Sequence, residues 1–123
     1  MLVVFPTQFY CWALSQQLRV GHDLTYRYTH VEAGLVENVV IRRTNDTETY
    51  PSGWKYTLHL GTLGDLTLVR YDNAHEDTKG HERHTGDDET SVDFPGMEAL
   101  IVEFWASADE YWDATDGTPP RPY

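Results

Sequence analysis

The chain has 123 residues, a length that suits one domain, and it is 40% hydrophobic with four Trp, eight Tyr and four Phe, enough to build a real core. Nine Lys and Arg against twenty Asp and Glu give a formal net charge of -11, which excludes non-specific nucleic-acid binding by the surface as a whole and leaves room for a local basic site only. The cations are skewed to seven Arg and two Lys; with the acidic surface and abundant Thr this suggests a high-salt cytoplasm such as that of a halophilic archaeon, where molar salt cuts the Debye length to roughly 3 Å.

Residues 1–20 read as an uncertain N-terminal extension. Met1 to Phe5 can form a strand and Phe9 to Leu18 a short helix ending before Gly21. Cys11 has no second cysteine to pair with, so no internal disulfide forms; between Tyr10 and Trp12 it packs as a small hydrophobe. Pro6, Gln8 and Ser15 break the apolar run, which is too short to span a bilayer and lacks the basic start of a signal peptide. The expected location is cytoplasmic.

Residues 21–113 read as a single α+β domain. Leu24, Tyr26 and Tyr28 alternate with Thr25, Arg27 and Thr29, the period of a half-buried strand. A turn at Glu32-Ala33-Gly34 leads to a β-branched run from Leu35 to Arg43. After a polar loop with Pro51 and Gly53, Trp54, Tyr56, Leu58 and Leu60 alternate with Lys55, Thr57 and His59. Gly61 to Asp65 turns the chain into Leu66 to Tyr71, completing a four-strand antiparallel meander. Residues 72–88 carry no hydrophobic period and read as a long polar loop, which in a compact domain is mobile or functional. A short return strand follows over Glu89 to Phe94, and Pro95-Gly96 breaks it. Met97, Leu100, Ile101, Phe104, Trp105 and Trp112 recur at helical spacing, so a C-terminal amphipathic helix covers the curved sheet. Residues 114–123, with three prolines, are expected to be a disordered tail.

The polar stretch from Arg70 to His84 holds the chemistry. It contains His75, His81 and His84 together with Arg70, Lys79 and Arg83. Imidazoles move protons near neutral pH and cations hold phosphate, so the combination suits metal-independent cleavage of a phosphodiester. One imidazole takes the proton of a ribose 2′-hydroxyl and the other protonates the leaving oxygen. His81 and His84 are the acid/base candidates, Lys79, Arg83 and Arg70 the phosphate holders, and Gly80 permits close approach of the backbone. Asp72 orients an imidazole and Tyr71 stacks a base, although Asp72 and Asn73 can equally form a simple Asx turn. Two rival readings stay open. His81-x-x-His84 with His75 or Asp72 can hold a metal in a small metal-dependent hydrolase, or the loop grips a partner in a non-catalytic binding module. His59 faces solvent or caps a hydrogen-bond network, Arg42-Arg43 are either phosphate contacts or sheet-edge gatekeepers, and Asp87 to Glu89 are a solvated turn. No Gly-rich phosphate loop, nucleophile elbow or Cys-rich zinc pattern is present, so no cofactor and no metal is assigned.

Gly53-Trp54-Lys55-Tyr56-Thr57-Leu58, then Arg70-Tyr71-Asp72-Asn73, then Lys79-Gly80-His81-Glu82-Arg83-His84, resemble the TumE-type toxins of toxin–antitoxin pairs. That family has a "KYRL"-like strand, a "YDN" turn, a "KGDHRH"-like segment, and a helix with an aromatic "DFW"-like start, which Val102-Glu103-Phe104-Trp105 looks like here. The likeness runs from about Tyr26 to Trp112. It departs at Glu82 and in the additional Ala74 to Thr78 with its His75. It implies a toxin neutralised by a cognate helix-turn-helix antitoxin, with Lys55, Tyr56, Tyr71, Asp72, Asn73, Lys79, Gly80, His81, Arg83 and His84 as the carried-over positions. Ribonuclease activity is the inference that joins this resemblance to the residue chemistry.

Overall fold

The computed structural model describes residues 23–121, so the expected N-terminal strand and helix lie outside the described residues. Six strands form one open antiparallel sheet in the order of the chain: β1 (Leu24–His30), β2 (Leu35–Arg43), β3 (Trp54–Thr62), β4 (Thr67–Asp72), β5 (His81–Thr85) and β6 (Asp88–Val92). A one-turn helix α1 (Glu76–Lys79) joins β4 to β5, and α2 (Met97–Trp112) ends the domain. The first four strands and the helix lie where alternation and helical spacing place them.

Period-two alternation explains the layers. Leu24 opposes Ile41, Tyr26 opposes Val39, Val39 opposes Leu58, and Leu58 opposes Tyr71, so these side chains share one face of the sheet. Met97, Leu100, Ile101, Phe104, Trp105, Ala108 and Trp112 of α2 are buried against them. Each large aliphatic or aromatic side chain taken fully out of water there contributes about 1.5–3 kcal/mol. The sheet slips register between Leu60 and Gly61. A Cβ on Gly61 would stand 2.6 Å from His59 Cε1 and 2.8 Å from the Leu66 carbonyl oxygen, so only glycine lets the His59 ring lie there.

Two expectations are corrected. Residues 72–88 are not a loop: they form α1 and most of the β5–β6 hairpin, turned at Gly86, whose φ of 61° is open to glycine without strain. The physical reason is the edge of β4, whose backbone groups find partners by pairing with β5. The end of the chain also departs from the expected frayed tail. Asp113 to Arg121 run back over the sheet, and the Arg121 guanidinium donates to the fully buried Glu37 carboxylate from Nε at 2.9 Å and Nη2 at 2.8 Å. Tyr26 and Trp112 donate to the same carboxylate. A charge at the centre of the core face survives because four donors meet it.

Among the described residues no helix is long and apolar enough to cross a membrane.

Candidate functional site: a cleft on the face opposite the helix

The face of the sheet opposite α2 carries the polar alternates. Register places Arg27, Asn38, His59, Arg70, His84 and Glu89 in one line across all six strands, and Thr25, Val40, Thr57, Asp72, Glu82 and Ser91 in the next. At the β4–β5 end this face and the α1 turn enclose a cleft of about 390 Å³. Arg70, Asp72, His75, Lys79 and His84 line it, together with Thr57, Ala74, Glu82 and Glu89.

His84 is the most firmly oriented imidazole in the cleft. Its Nε2 lies 3.2 Å from Asp72 Oδ2, and the same oxygen accepts from Arg70 Nε at 3.0 Å. Asp72 is buried and its other oxygen accepts from the Ala74 backbone N–H at 3.3 Å, so it is a fixed anchor for both side chains. A carboxylate at Nε2 requires a proton on that nitrogen, which leaves Nδ1 as the acceptor. Nδ1 stands 4.0 Å from Glu89, beyond hydrogen-bond reach.

Glu89 and Glu82 interact directly. A hydrogen bond with Glu89, burial, and the charges of Glu89 and Asp72 hold the Glu82 carboxyl above the usual carboxylate range, while the same hydrogen bond holds Glu89 below it. The two carboxyl groups therefore titrate as a pair, with Glu82 the one that takes up a proton first as pH falls. Glu82, His84 and Glu89 bring three donor atoms within 4.8 Å of one another, a set that can hold a divalent cation.

The α1 turn is pinned by a buried network. Asn73 is fully buried; it accepts from the Tyr56 N–H at 3.0 Å and donates to the Trp54 carbonyl at 2.6 Å and to Glu76 at 3.0 Å. Glu76 also accepts from the Ser52 N–H and hydroxyl, both at 2.9 Å. His75 and Lys79 flank Glu76 on the turn, so this network fixes two groups of the cleft from behind.

The sequence-predicted residues therefore divide. Arg70, Asp72, His75, Lys79 and His84 come together. His81 does not: three positions from His84 on one strand, it points to the opposite face. Its ring stacks on Phe94 at 4.3 Å, its Nε2 meets Glu76 at 3.1 Å, and its Nδ1 is hydrogen-bonded with the Tyr56 hydroxyl at 2.7 Å. Burial holds it below the ordinary imidazole range against the pull of Glu76, so it is a neutral structural link. The structure thus does not bring His81 and His84 together, whether as acid and base or as metal ligands. Arg83 shares the far face; its guanidinium lies 5.6 Å over the Tyr71 ring, and its Nε is buried without a hydrogen-bond partner. Tyr71 is 2% exposed and edge-on to Phe104, so it is core and cannot stack a base. Asn73 is the lock just described, and Lys55 lies on the cleft's own face in an adjoining hollow with Arg42.

Glu82, Glu89 and Thr57 enter the cleft unforeseen. His59 sits beside Arg70 in the register but leans to Thr67, 3.2 Å away, outside the cleft lining. Burial, then Arg70 and Arg27, hold it below the usual imidazole range.

A family model described as Toxin TumE matches residues 17–111 of the 123. No curated protein and no solved structure matches the chain.

Proposed function

We propose that this chain, which belongs to the TumE toxin family and is thereby the toxin component of a toxin–antitoxin pair, acts by cutting RNA in the cleft on the face of the sheet opposite α2. The family implies an antitoxin partner; in our reading that partner is a helix-turn-helix protein, and the RNA is attacked in the cytoplasm. The observation that carries the cleavage reading is the convergence of two imidazoles and two cations on one cleft, with His84 locked against Asp72.

The chemistry follows from the positions. His84, with its Nε2 proton held by Asp72, accepts the 2′-hydroxyl proton at Nδ1. The freed 2′-oxygen bonds to phosphorus and the bond from phosphorus to the 5′-oxygen breaks, giving a cyclic phosphate. His75, exposed at the start of the α1 turn, gives its proton to the departing 5′-oxygen. Arg70, whose Nε is occupied by Asp72, has its remaining guanidinium donors for the phosphoryl oxygens, and Lys79 adds a second positive charge.

A second reading has one specific observation in its favour, the Glu82, His84 and Glu89 donor set. There a divalent cation would be held by these three side chains and would supply the positive charge that holds the phosphate. Purified protein separates the two: cleavage of RNA that persists in EDTA supports the imidazole route, and cleavage restored only by added Mg²⁺ or Mn²⁺ supports the metal. In cells, induction should arrest growth, co-expression of the antitoxin should relieve it, and His84→Ala should grow normally. A folded, fully toxic His84→Ala protein would remove this site from the account.

A further inference from the structure

Basic residues are segregated to one face of this acidic chain. Arg27, Arg42, Lys55 and Arg70 fall on the outward alternates of β1 to β4, and Lys79 lines the cleft beside them, so five of the nine Lys and Arg share a surface in a protein of net charge -11. Arg70 of this group is held by Asp72. Lys79 also feels the Glu82 and Glu89 carboxylates, and the gathering of cations makes this surface more attractive to anions than the rest of the acidic chain.

Beside the cleft is a second hollow of about 210 Å³, lined by Val40, Arg42, Lys55, Tyr56 and Thr57. Arg42 and Lys55 are direct cross-strand partners at its far end, and both are exposed. The Lys55 ammonium lies 5.7 Å from the Tyr50 ring centroid, within cation–π reach, which holds it over the sheet. Thr57 lines both hollows, so they form one continuous track. Lys55 and the His59–Arg70 pair are four residues apart along β3, about 13 Å at the rise of a strand. One phosphate cannot touch both ends.

We propose that Arg42 and Lys55 form a second phosphate-binding subsite, which takes the backbone of a single-stranded RNA one or two nucleotides away from the phosphate held by Arg70 and Lys79. The substrate class is then a polynucleotide, and a dinucleotide fills only half of the track. This rests on the RNA reading of the cleft, yet it concerns binding and is measurable without turnover. Arg42 and Lys55 hold substrate without touching the reacting atoms, so removing their charge acts on affinity and KM and leaves kcat alone.

The test is the Arg42→Gln/Lys55→Gln double variant of the full chain, read by fluorescence anisotropy against a labelled single-stranded RNA oligonucleotide over a series of salt concentrations, and by cleavage of that oligonucleotide and of a dinucleotide. Affinity for the oligonucleotide should fall about tenfold or more, as each charge-assisted contact is worth roughly that factor. The slope of log affinity against log salt should flatten by about 1.4, or about 0.7 per lost phosphate contact. KM for the oligonucleotide should rise in step with kcat unchanged, and dinucleotide cleavage should not move. Wild-type protein that binds with this slope and does not cut would retain the subsite and remove the cleavage reading. Unchanged affinity and slope in the double variant would overturn the subsite even if His84→Ala abolishes cleavage. So would a double variant that binds RNA normally and loses only its antitoxin, since the face would then serve the protein partner.

Discussion

Replacing Arg121 by Met should cost this domain a large part of its stability, although the residue stands near the end of the chain. Its guanidinium makes two hydrogen bonds to Glu37, a carboxylate with no exposure to solvent, and a third contact at 2.8 Å with Asp109 of α2. In the variant Glu37 keeps Tyr26 and Trp112 as donors, at 2.6 and 3.0 Å, and loses the positive charge of Arg121. Removing one partner of a buried ion pair costs about 3–5 kcal/mol, and the two remaining donors place this case near 3. For a domain of this size that lowers Tm by roughly 12–24 °C, at about 4–8 °C per kcal/mol. Thermal unfolding followed by circular dichroism reads the shift directly. The Glu37→Gln/Arg121→Met double variant should recover part of it, because an amide replaces the orphaned charge. An Arg121→Met protein melting within about 2 °C of wild type would refute the reasoning, since a buried carboxylate cannot lose its counter-charge at no cost.

Two further outcomes test the network behind the site. Asn73→Ala should destabilise by about 2 kcal/mol or more, because the buried Tyr56 N–H and Trp54 carbonyl each lose a partner; RNA cleavage by the folded fraction should fall as well, because His75 and Lys79 lose their support, and full activity would separate α1 from the site. Stability should also drop as pH falls below about 6.5, the ordinary histidine value, since burial keeps His81 neutral in the folded state while the unfolded chain takes up the proton first. A Tm–pH curve for His81→Gln should be flatter there than for wild type, and parallel curves would contradict the neutral assignment.

The legibility of this chain follows its burial. Strands β1 to β4 show in the sequence because each puts apolar alternates under α2, and α2 shows because its buried positions repeat at three and four residues. Strand β5 does not show, and β6 shows only as the short return strand expected over Glu89 to Phe94. They extend the sheet past the cover of the helix, β6 is exposed over Asp88 to Ser91, and a strand without a buried face writes no hydrophobic period. The signal that was present is Gly86-Asp87, a two-residue hairpin turn between the two runs. Recognising that hairpin would have placed His81 and His84 on opposite faces by parity alone. The cleft was half legible for the same reason. Arg70, Asp72 and His84 were found because they cluster in sequence, whereas Glu82 and Glu89 enter through strand pairing and Thr57 through β3, contacts that no local pattern records. Glu37 and Arg121 meet across 84 positions, which is why the tail looked free.

Charge sets the direction of the whole arrangement. A chain of net charge -11 repels RNA in general, so only the face where its cations gather can admit a phosphate backbone. The gathering of cations on the face opposite α2 therefore makes the surface that carries His84 the favoured one for the proposed RNA binding.

The most direct measurement is the rate at which purified His84→Ala and His81→Gln proteins cut single-stranded RNA, each assayed below its own melting temperature. Loss of a positioned acid or base typically costs about 10²–10⁴ in rate. His84→Ala should fall by that factor with its fold intact, and His81→Gln, altered on the opposite face, should cut within a few-fold of wild type. Equal losses in both variants, or undiminished cutting by His84→Ala, would contradict the cleft on the face opposite α2 as the seat of the chemistry.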